Sequence, residues 1–337
     1  MSTLFSVIMP VYNREKLIIQ ALNSVKIQTY RPIEIIVVND GSIDGTANVV
    51  DEWRRVHEDK NDFQVKYFFQ ENAGPSSARN HGLLESHGEF IQFLDSDDLI
   101  SPNRLEILAN IFKQDSKVDF IQTGFDGFCA GCSEVIEQHY GNPNEDLLVL
   151  ALKGRLWPNT LRSGFRRSLI VDTGPWNKDM TCFEDYEYVA RALVKARKSI
   201  AIKDILASAR RGGGMRVSDN LRTYQGRTFR IMCEAALYQG IQNRTDIPLY
   251  AKQAFASRLY ALGFRSNAKG WKNLGKLCGK FAESLGVELD GLGRRRKLVY
   301  NLGKWGGSVY DFMGRIKNRK VHNKQRFLPV CHTCSKG

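Results

Sequence analysis

Residues 33–42 read IEIIVVNDGS, an apolar run of strand-forming residues that ends in a polar turn. Three further runs of the same kind cover Phe5–Met9, Val65–Phe69 and Phe90–Leu94, and segments with helical spacing separate them. Strands that alternate with helices at this interval predict right-handed βαβ crossovers. The expected fold class is therefore α/β, with a mostly parallel, Rossmann-like sheet and helices on both faces.

The charge divides the chain into two parts. Residues 1–215 carry 25 Lys and Arg against 29 Asp and Glu, a net charge of −4, whereas residues 216–337 carry 24 against 7, a net charge of +17. The strand pattern also stops near the boundary, after Gly212-Gly213-Gly214. We expect an α/β catalytic domain over 1–215 and a basic, mainly helical extension over 216–337, which predicts an anionic partner.

The composition excludes several classes of protein. Forty-two per cent hydrophobic and 25% charged residues are typical of a globular chain, and no run approaches 18 apolar residues, as a membrane-spanning helix requires. The first residues show no signal-peptide pattern, and seven cysteines suit a reducing compartment. These features favour a cytoplasmic protein.

Polar clusters follow each of the first four predicted strands. Ligands of open α/β sheets bind beyond the carboxyl ends of the strands. One such cluster alone is usually only a turn, but four on one edge indicate a site. They are Pro10-Val11-Tyr12-Asn13, Asn39-Asp40-Gly41-Ser42, Gln70-Glu71-Asn72-Ala73-Gly74 and Asp95-Ser96-Asp97-Asp98.

The acidic cluster has a specific chemical interpretation. In an extended stretch Asp95 and Asp97 point the same way, and two adjacent carboxylates repel each other unless a cation lies between them. Their hard oxygen ligands suit Mg²⁺ or Mn²⁺, which would neutralise a departing diphosphate. Neither a P-loop nor a G-x-G-x-x-G dinucleotide motif is present.

In the order and spacing of its motifs, the chain resembles a family 2 glycosyltransferase with the GT-A fold. The resemblance covers roughly residues 4–215. It rests on Pro10–Asn13, Val37–Ser42, Asn72–Gly82, Phe93–Asp98, Phe165–Ser168, Gly174–Trp176, Glu184-Asp185 and Arg191.

The resemblance implies a role for each matched residue. Pro10, Val11 and Tyr12 would line the nucleoside pocket, and Asp40 would accept a hydrogen bond from the base. Arg79, Asp95 and Ser96 would hold the donor, with Asp97 the direct metal ligand beside Asp95. Asp98 would touch the donor sugar or serve the structure. Asp185 would be the general base, with Glu184 beside it.

The chemistry of inverting sugar transfer also requires only one general base. Inverting sugar transfer needs one carboxylate opposite the leaving group, to take the proton of the attacking hydroxyl. In the first turn of a helix, the helix dipole would favour the ionised form of Asp185. The alternative is that Glu184 and Asp185 are ordinary helix-start acids.

The sequence departs from the family pattern at two places. Many members have Asp where this chain has Asn39, and many have a His where this chain has Arg210-Arg211. Either arginine could replace that His as a cationic clamp. Two C-x-x-C pairs, Cys129/Cys132 and Cys331/Cys334, lie too far apart to predict a zinc ribbon.

We therefore expect a metal-dependent inverting transferase that moves a sugar from a nucleotide-sugar, UDP-linked, to a hydroxyl of a glycan or lipid-linked glycan, as in cell-surface polysaccharide synthesis. The alternative is a catalytically silent nucleotide-sugar-binding or membrane-scaffold protein of the same fold. The sequence specifies neither the sugar nor the acceptor.

Two apolar stripes in the basic extension predict amphipathic helices. Such helices could lie on an anionic membrane surface, which here would be the inner face of the cytoplasmic membrane. Alternatively, they could pack within the protein. No groove-reading motif for nucleic acid is present, so we expect no nucleic-acid partner. The stripes are Trp271, Leu274, Cys278, Phe281 and Leu285, and then Leu298, Leu302, Trp305, Val309, Phe312 and Ile316.

Overall fold

The structure, a computed structural model, describes residues 3–59, 61–131, 134–156, 159–212 and 223–303. The strands are β1 Phe5–Val11, β2 Ile33–Asp40, β3 Phe63–Gln70, β4 Phe90–Phe93, β5 Leu99–Ile100, β6 Val118–Cys129, β7 Val135–His139, β8 Ser163–Arg166 and β9 Lys198–Arg211. The helices are α1 Ile18–Lys26, α2 Thr46–His57, α3 Pro75–Glu85, α4 Arg104–Gln114, α5 Leu147–Lys153, α6 Arg167–Thr173, α7 Glu184–Lys195, α8 Tyr224–Ile241, α9 Leu249–Asn267, α10 Lys272–Ser284 and α11 Gly291–Gly303.

The described strands form one sheet in the order β3-β2-β1-β4-β8-β6-β9-β5, with β7 paired to β6. Strands β3, β2, β1 and β4 are parallel, as the βαβ pattern predicts. Beyond β4 the sheet is mixed, because β8 runs antiparallel to both β4 and β6. The predicted α/β class is confirmed, and the parallel half carries the four polar clusters at one edge.

Helices cover both faces of this sheet. The main hydrophobic core includes Val7 and Met9 of β1, with Leu22 of α1 and Leu108 of α4 against them. Helix α3 covers the opposite face, and it approaches so closely that a Cβ at Gly82 would lie 2.5 Å from Ile8 Cγ2. Burying each large aliphatic side chain contributes about 1.5–3 kcal/mol, so the alternation along β1 fixes both layers.

Two compact units account for the described residues. One comprises 3–147 and 159–212, and the other comprises 148–156 and 223–303. The first contains the whole sheet, and the second contains helices α8 to α11. The domain division predicted between 215 and 216 stays a prediction.

The second unit is built on close helix contacts. The Tyr300 ring of α11 is buried against glycines of α9 and α10, and its hydroxyl donates to the carbonyl of Gly275 at 3.1 Å. A Cβ at Gly263 would lie 2.9 Å from Tyr300 Cε2, and one at Gly279 would overlap the Tyr300 hydroxyl. Only glycine therefore allows the three helices to approach this closely.

The stripe on α10 points into this unit. Leu274 and Cys278 form a buried cluster with Ile231 and Leu262, and Trp271 packs against it. Packing within the protein is therefore the correct alternative for α10, and its apolar face is not a membrane surface. Of the later stripe, Leu298 is 59% exposed, whereas the side chains of Leu302, Trp305, Val309, Phe312 and Ile316 lie outside the described residues, as do Cys132, Cys331 and Cys334.

Among the described residues, no helix combines the length and the hydropathy that a membrane-spanning segment needs.

Candidate active site

The polar clusters after β1, β2, β3 and β4 meet at one edge of the sheet, as parallel strands require. The loops after β1 and β2 are interlocked there. Asn13 has a left-handed backbone (φ 52°), and its amide donates to Ser42 Oγ while its side-chain oxygen accepts from the amide of Ile43, both at 2.9 Å. Asn tolerates this conformation better than most residues. Tyr12, beside it, is 45% exposed, whereas Pro10 and Val11 are buried in the sheet.

Asp40 organises the loop after β3. Its side chain is buried and accepts hydrogen bonds from Gln70 Nε2 at 2.7 Å and from the amides of Ala73 and Gly74 at 2.9 Å. Gly41 has φ 77°, and a Cβ there would lie 2.8 Å from the Asn72 amide nitrogen. The structure thus shows Asp40 holding the Asn72–Gly74 loop, and a carboxylate still has lone pairs left for a ligand.

Arg79 of α3 connects the two halves of the site. Its guanidinium is almost fully buried, donates to Asp95 Oδ1 at 2.8 Å and lies 3.6 Å from Glu184 Oε1. It also stacks on the Trp176 ring at 4.5 Å. Burial lowers the pKa of Arg79, but the carboxylates of Asp95, Asp185 and Glu184 outweigh this and raise it above its usual value. The charge of Arg79 is therefore fixed at every accessible pH.

The segment that carries Trp176 is held from both sides. Asn80 accepts from the Trp176 amide at 2.8 Å and donates to its carbonyl at 3.0 Å. Arg191 of α7 donates to the carbonyls of Thr173 at 2.6 Å and Pro175 at 2.9 Å. The Gly174–Trp176 motif and Arg191 therefore belong to one wall of the site.

Glu184 and Asp185 begin α7, directly after a strained residue. Phe183 lies in the left-handed region (φ 62°), which is a genuine outlier for a bulky side chain and is found mainly at functional sites. The pKa of Asp185 is raised to about 7. Burial is the largest cause, the charges of Glu184 and Asp95 raise the pKa further, and the charge of Arg79 lowers it. The backbone at the start of the helix does favour the ionised form of Asp185, but burial and the charges of Glu184 and Asp95 outweigh that effect and leave its pKa raised.

Neighbouring arginines compensate the charge of the acidic cluster only in part. Burial and the charge of Asp95 raise the pKa of Asp97, and burial together with Asp95 and Asp97 raises that of Asp98 further. Asp98 accepts from the amide of Arg210 at 2.9 Å, so it joins the β4–β5 turn to β9. Ser96 is buried between them.

Arg210 and Arg211 have different positions. Arg210 donates from Nε to the Asp97 carbonyl at 3.0 Å and from Nη2 to Gln20 at 2.6 Å. Arg211 instead pairs with Glu137 of β7, outside the Asp95–Asp98 cluster. Of these two arginines, Arg210 hydrogen-bonds to the acidic turn, whereas Arg211 affects Asp98 only through its charge.

The donor set fits a divalent cation without forming a cage. Within the described ranges, no cluster of three or more His, Cys, Asp or Glu side chains has the geometry to hold a metal. Asp95 and Asp97 instead offer two hard oxygen ligands whose mutual repulsion a cation would relieve. Such a pair suits Mg²⁺ or Mn²⁺, which complete their coordination with water and phosphate oxygens.

Sequence reasoning missed Arg14. Its Nη2 lies 3.6 Å from Asp97 Oδ2, and both side chains are partly exposed. The available signal was its place directly after Asn13, in a loop at the same edge of the sheet.

Comparison with known proteins shows the family to which the chain belongs. The model of the family described as Glycosyl transferase family 2 matches residues 6–146. An uncharacterized glycosyltransferase of Haemophilus influenzae is 34% identical over 218 residues, which cover 64% of this chain and 82% of the relative. The putative glycosyltransferase EpsH of Bacillus subtilis is 29% identical over 234 residues, covering 66% and 64%.

A solved structure shares the fold. Residues 1–349 of TarS from Staphylococcus aureus, in complex with UDP-GlcNAc, superpose with a TM-score of 0.66 at 21% identity, covering 92% of each chain. The sheet with its acids at the carboxyl edge thus defines a glycosyltransferase of the GT-A fold. The chain belongs to glycosyltransferase family 2, as its motifs implied. Other relatives are longer: the match to an uncharacterized glycosyltransferase of Rickettsia bellii, 41% identical over 120 residues, covers 36% of this chain and 16% of the relative.

Proposed function

We propose that this enzyme transfers a sugar, with inversion, from a UDP-linked donor to a hydroxyl of a glycan or lipid-linked glycan. One observation carries the proposal. The Arg79 guanidinium contacts both Asp95, at the proposed donor edge, and Glu184, which precedes the proposed base. The first compact unit is then the catalytic domain. The UDP-GlcNAc in the complex of TarS supports the choice of nucleotide.

In this proposal Asp185 takes the proton of the acceptor hydroxyl as that oxygen attacks the anomeric carbon. The new bond forms from the face opposite the nucleotide, the bond from the anomeric carbon to the phosphate oxygen breaks, and UDP leaves with the electron pair. A base with a pKa of about 7 suits this work, because it is ionised near neutral pH and still accepts a proton readily.

The donor side is held by different residues. Tyr12 is exposed at the edge where the nucleoside would lie, and Asp40 fixes the loop below it. Asp97 and Asp95 would hold the divalent cation, which supplies charge neutralisation of the departing diphosphate.

The test is hydrolysis and transfer with a panel of UDP-, GDP- and TDP-sugars, with and without Mn²⁺. Mn²⁺-dependent release of UDP from at least one UDP-sugar is the expected result. Tight UDP-sugar binding without any turnover, with or without glycan acceptors, would instead identify a silent binding protein.

We further propose that the basic extension binds an anionic membrane surface, where a lipid-linked acceptor is presented, and that the enzyme is peripheral on the inner face of the cytoplasmic membrane. The support now comes from α11. Leu292 and Leu298 are 56% and 59% exposed, and Arg294, Arg295 and Lys297 are exposed around them. Exposed leucines with cations around them favour binding to an anionic membrane surface, at about 1 kcal/mol for each cation.

Vesicle co-sedimentation tests this partner with matched variants. The triple change R294E/R295E/K297E should abolish binding to vesicles that contain anionic lipid. The change K272E/K276E/K280E alters the charge equally on α10 and should retain most of the binding. Equal losses in the two variants, or equal binding to neutral vesicles, would contradict a membrane role for α11.

A further inference from the structure

Two arginines contact the two metal-binding carboxylates, and they do so in different ways. The Arg79 side chain is 3% exposed and pairs with Asp95 at 2.8 Å, whereas the Arg14 side chain is 42% exposed and lies 3.6 Å from Asp97 Oδ2. Buried, short contacts of this kind are held firmly, but exposed pairs at longer distance contribute little. Arg79 is therefore a fixed part of the site, and Arg14 is a loosely held one.

The backbone of Arg14 is nevertheless firmly placed. Its amide donates to Thr46 Oγ1 at 2.9 Å, in the interlocked pair of loops, and its Nη1 donates to the neighbouring Asn13 carbonyl at 3.3 Å. No hydrogen bond to another element restrains the guanidinium within the described residues. The side chain can consequently leave Asp97 while the loop stays in place.

Arg210 differs from Arg14 in this respect. Its guanidinium donates to the Asp97 carbonyl and to Gln20, and it stacks over the Phe128 ring at 4.6 Å. Arg210 therefore supports the backbone of the acidic turn, and Arg14 alone faces the carboxylate of Asp97 as a mobile cation among the described side chains.

We propose that Arg14 is the counter-ion of Asp97 in the metal-free enzyme and binds the donor diphosphate once a divalent cation has taken Asp97. This inference rests on the proposed function and adds to it the residue that couples metal binding to diphosphate binding. A divalent cation bound to Asp97 neutralises that carboxylate and repels the Arg14 guanidinium, so the two cations compete for Asp97. In the proposed function the cation on Asp97 also binds the diphosphate, so a guanidinium displaced from Asp97 would be within reach of two phosphate oxygens, which its planar fork matches.

The exchange predicts effects of opposite sign in one variant. Arg14→Met removes the competitor, so Mn²⁺ alone should bind about two- to fivefold more tightly, the range expected for losing a partly exposed ion pair. The same change removes a charged hydrogen-bond donor to the diphosphate, so UDP in the presence of Mn²⁺ should bind about ten- to a hundredfold more weakly. Uridine, which has no phosphate, should bind as it does to the wild type.

Titration calorimetry with Mn²⁺, UDP and uridine measures all three affinities on the full chain. Arg14→Lys keeps a cation and should leave Mn²⁺ affinity near the wild-type value. Arg55→Met is the matched control, because Arg55 is an exposed partner of Asp51 on α2, and it should change none of the affinities.

The possible outcomes distinguish a failure of the proposed function from a failure of the role proposed for Arg14. A wild-type protein that binds neither UDP nor Mn²⁺ contradicts the proposed function itself. A wild type that binds both, with Arg14→Met lowering Mn²⁺ affinity or leaving UDP affinity unchanged, overturns only the role of Arg14. Weaker binding of uridine in that variant would show a disturbed pocket and would also overturn it.

Discussion

Arg79 Nη2 lies 2.8 Å from Asp95 Oδ1, and Nη1 of the same side chain lies 3.6 Å from Glu184 Oε1. One buried guanidinium thus joins the end of β4 to the start of α7, where Asp185 follows. We therefore expect the proposed donor edge and the proposed base to be coupled electrostatically through Arg79.

Asp185→Asn should keep donor binding and lose transfer by about 10²–10⁴-fold, because only the proton acceptor is removed. Steady-state transfer and calorimetric UDP binding check the two parts separately. Asp179→Asn changes an exposed acid in the same region and serves as the control. Transfer by Asp185→Asn at a near wild-type rate would exclude Asp185 as the base.

The transfer rate should depend on pH through the same residue. The pKa of Asp185 is raised to about 7, and a base works only when deprotonated. The rate should therefore be constant above about pH 8, half-maximal near pH 7 and lost progressively at lower pH. A profile of kcat that stays flat down to about pH 5 would contradict the assignment.

Arg79→Met should move that profile to higher pH. Arg79 lowers the pKa of Asp185 against burial and two neighbouring acids, so its removal leaves the charged form less stable. An opposite charge at close range typically lowers such a pKa by about 1–3 units. Without Arg79, the midpoint of the acidic limb should therefore move to higher pH by a similar amount. Lys178→Met, a change at an exposed cation, should leave the limb in place.

Asp97→Asn should abolish Mn²⁺-dependent UDP binding and leave the fold intact, because it removes one of the paired carboxylates. Calorimetry with UDP, with and without Mn²⁺, gives the binding, and circular dichroism monitors the fold. Unchanged Mn²⁺-dependent affinity would rule out Asp97 as a metal ligand.

Gly279→Ala should destabilise the helical unit by about 1–3 kcal/mol, because the new Cβ would lie 2.5 Å from Tyr300 Cζ in a buried contact. Gly291→Ala is the control. A Cβ there meets no atom within 4 Å, so we expect a neutral or slightly stabilising effect, below about 1 kcal/mol. Urea unfolding of both variants gives the comparison, and equal effects would contradict the packing of Tyr300.

Much of this architecture was predictable from the sequence. The alternation of period-2 and helical patterns predicted the order of β1 to β4 and the helices between them, and the order of the motifs indicated the family. The α10 stripe shows the limit: Trp271, Leu274 and Cys278 formed a clear apolar face, but an apolar face alone cannot distinguish a membrane surface from the neighbouring helices that cover it.

What the sequence determined by itself is which residues stand at the ends of the parallel strands, because a hydrophobic run and its terminating turn are local features. Only the tertiary structure decided which side chains meet: Arg79 with Glu184, Arg14 with Asp97, and Arg210 rather than Arg211 at the acidic turn. Arg210 and Arg211 are neighbours on β9 and point to opposite faces, so a shift of one position in the register would exchange their surroundings. The register of β9 and the positions of the helices and loops around the sheet depend on packing between segments that are distant in the chain, so no local stretch of sequence determines them.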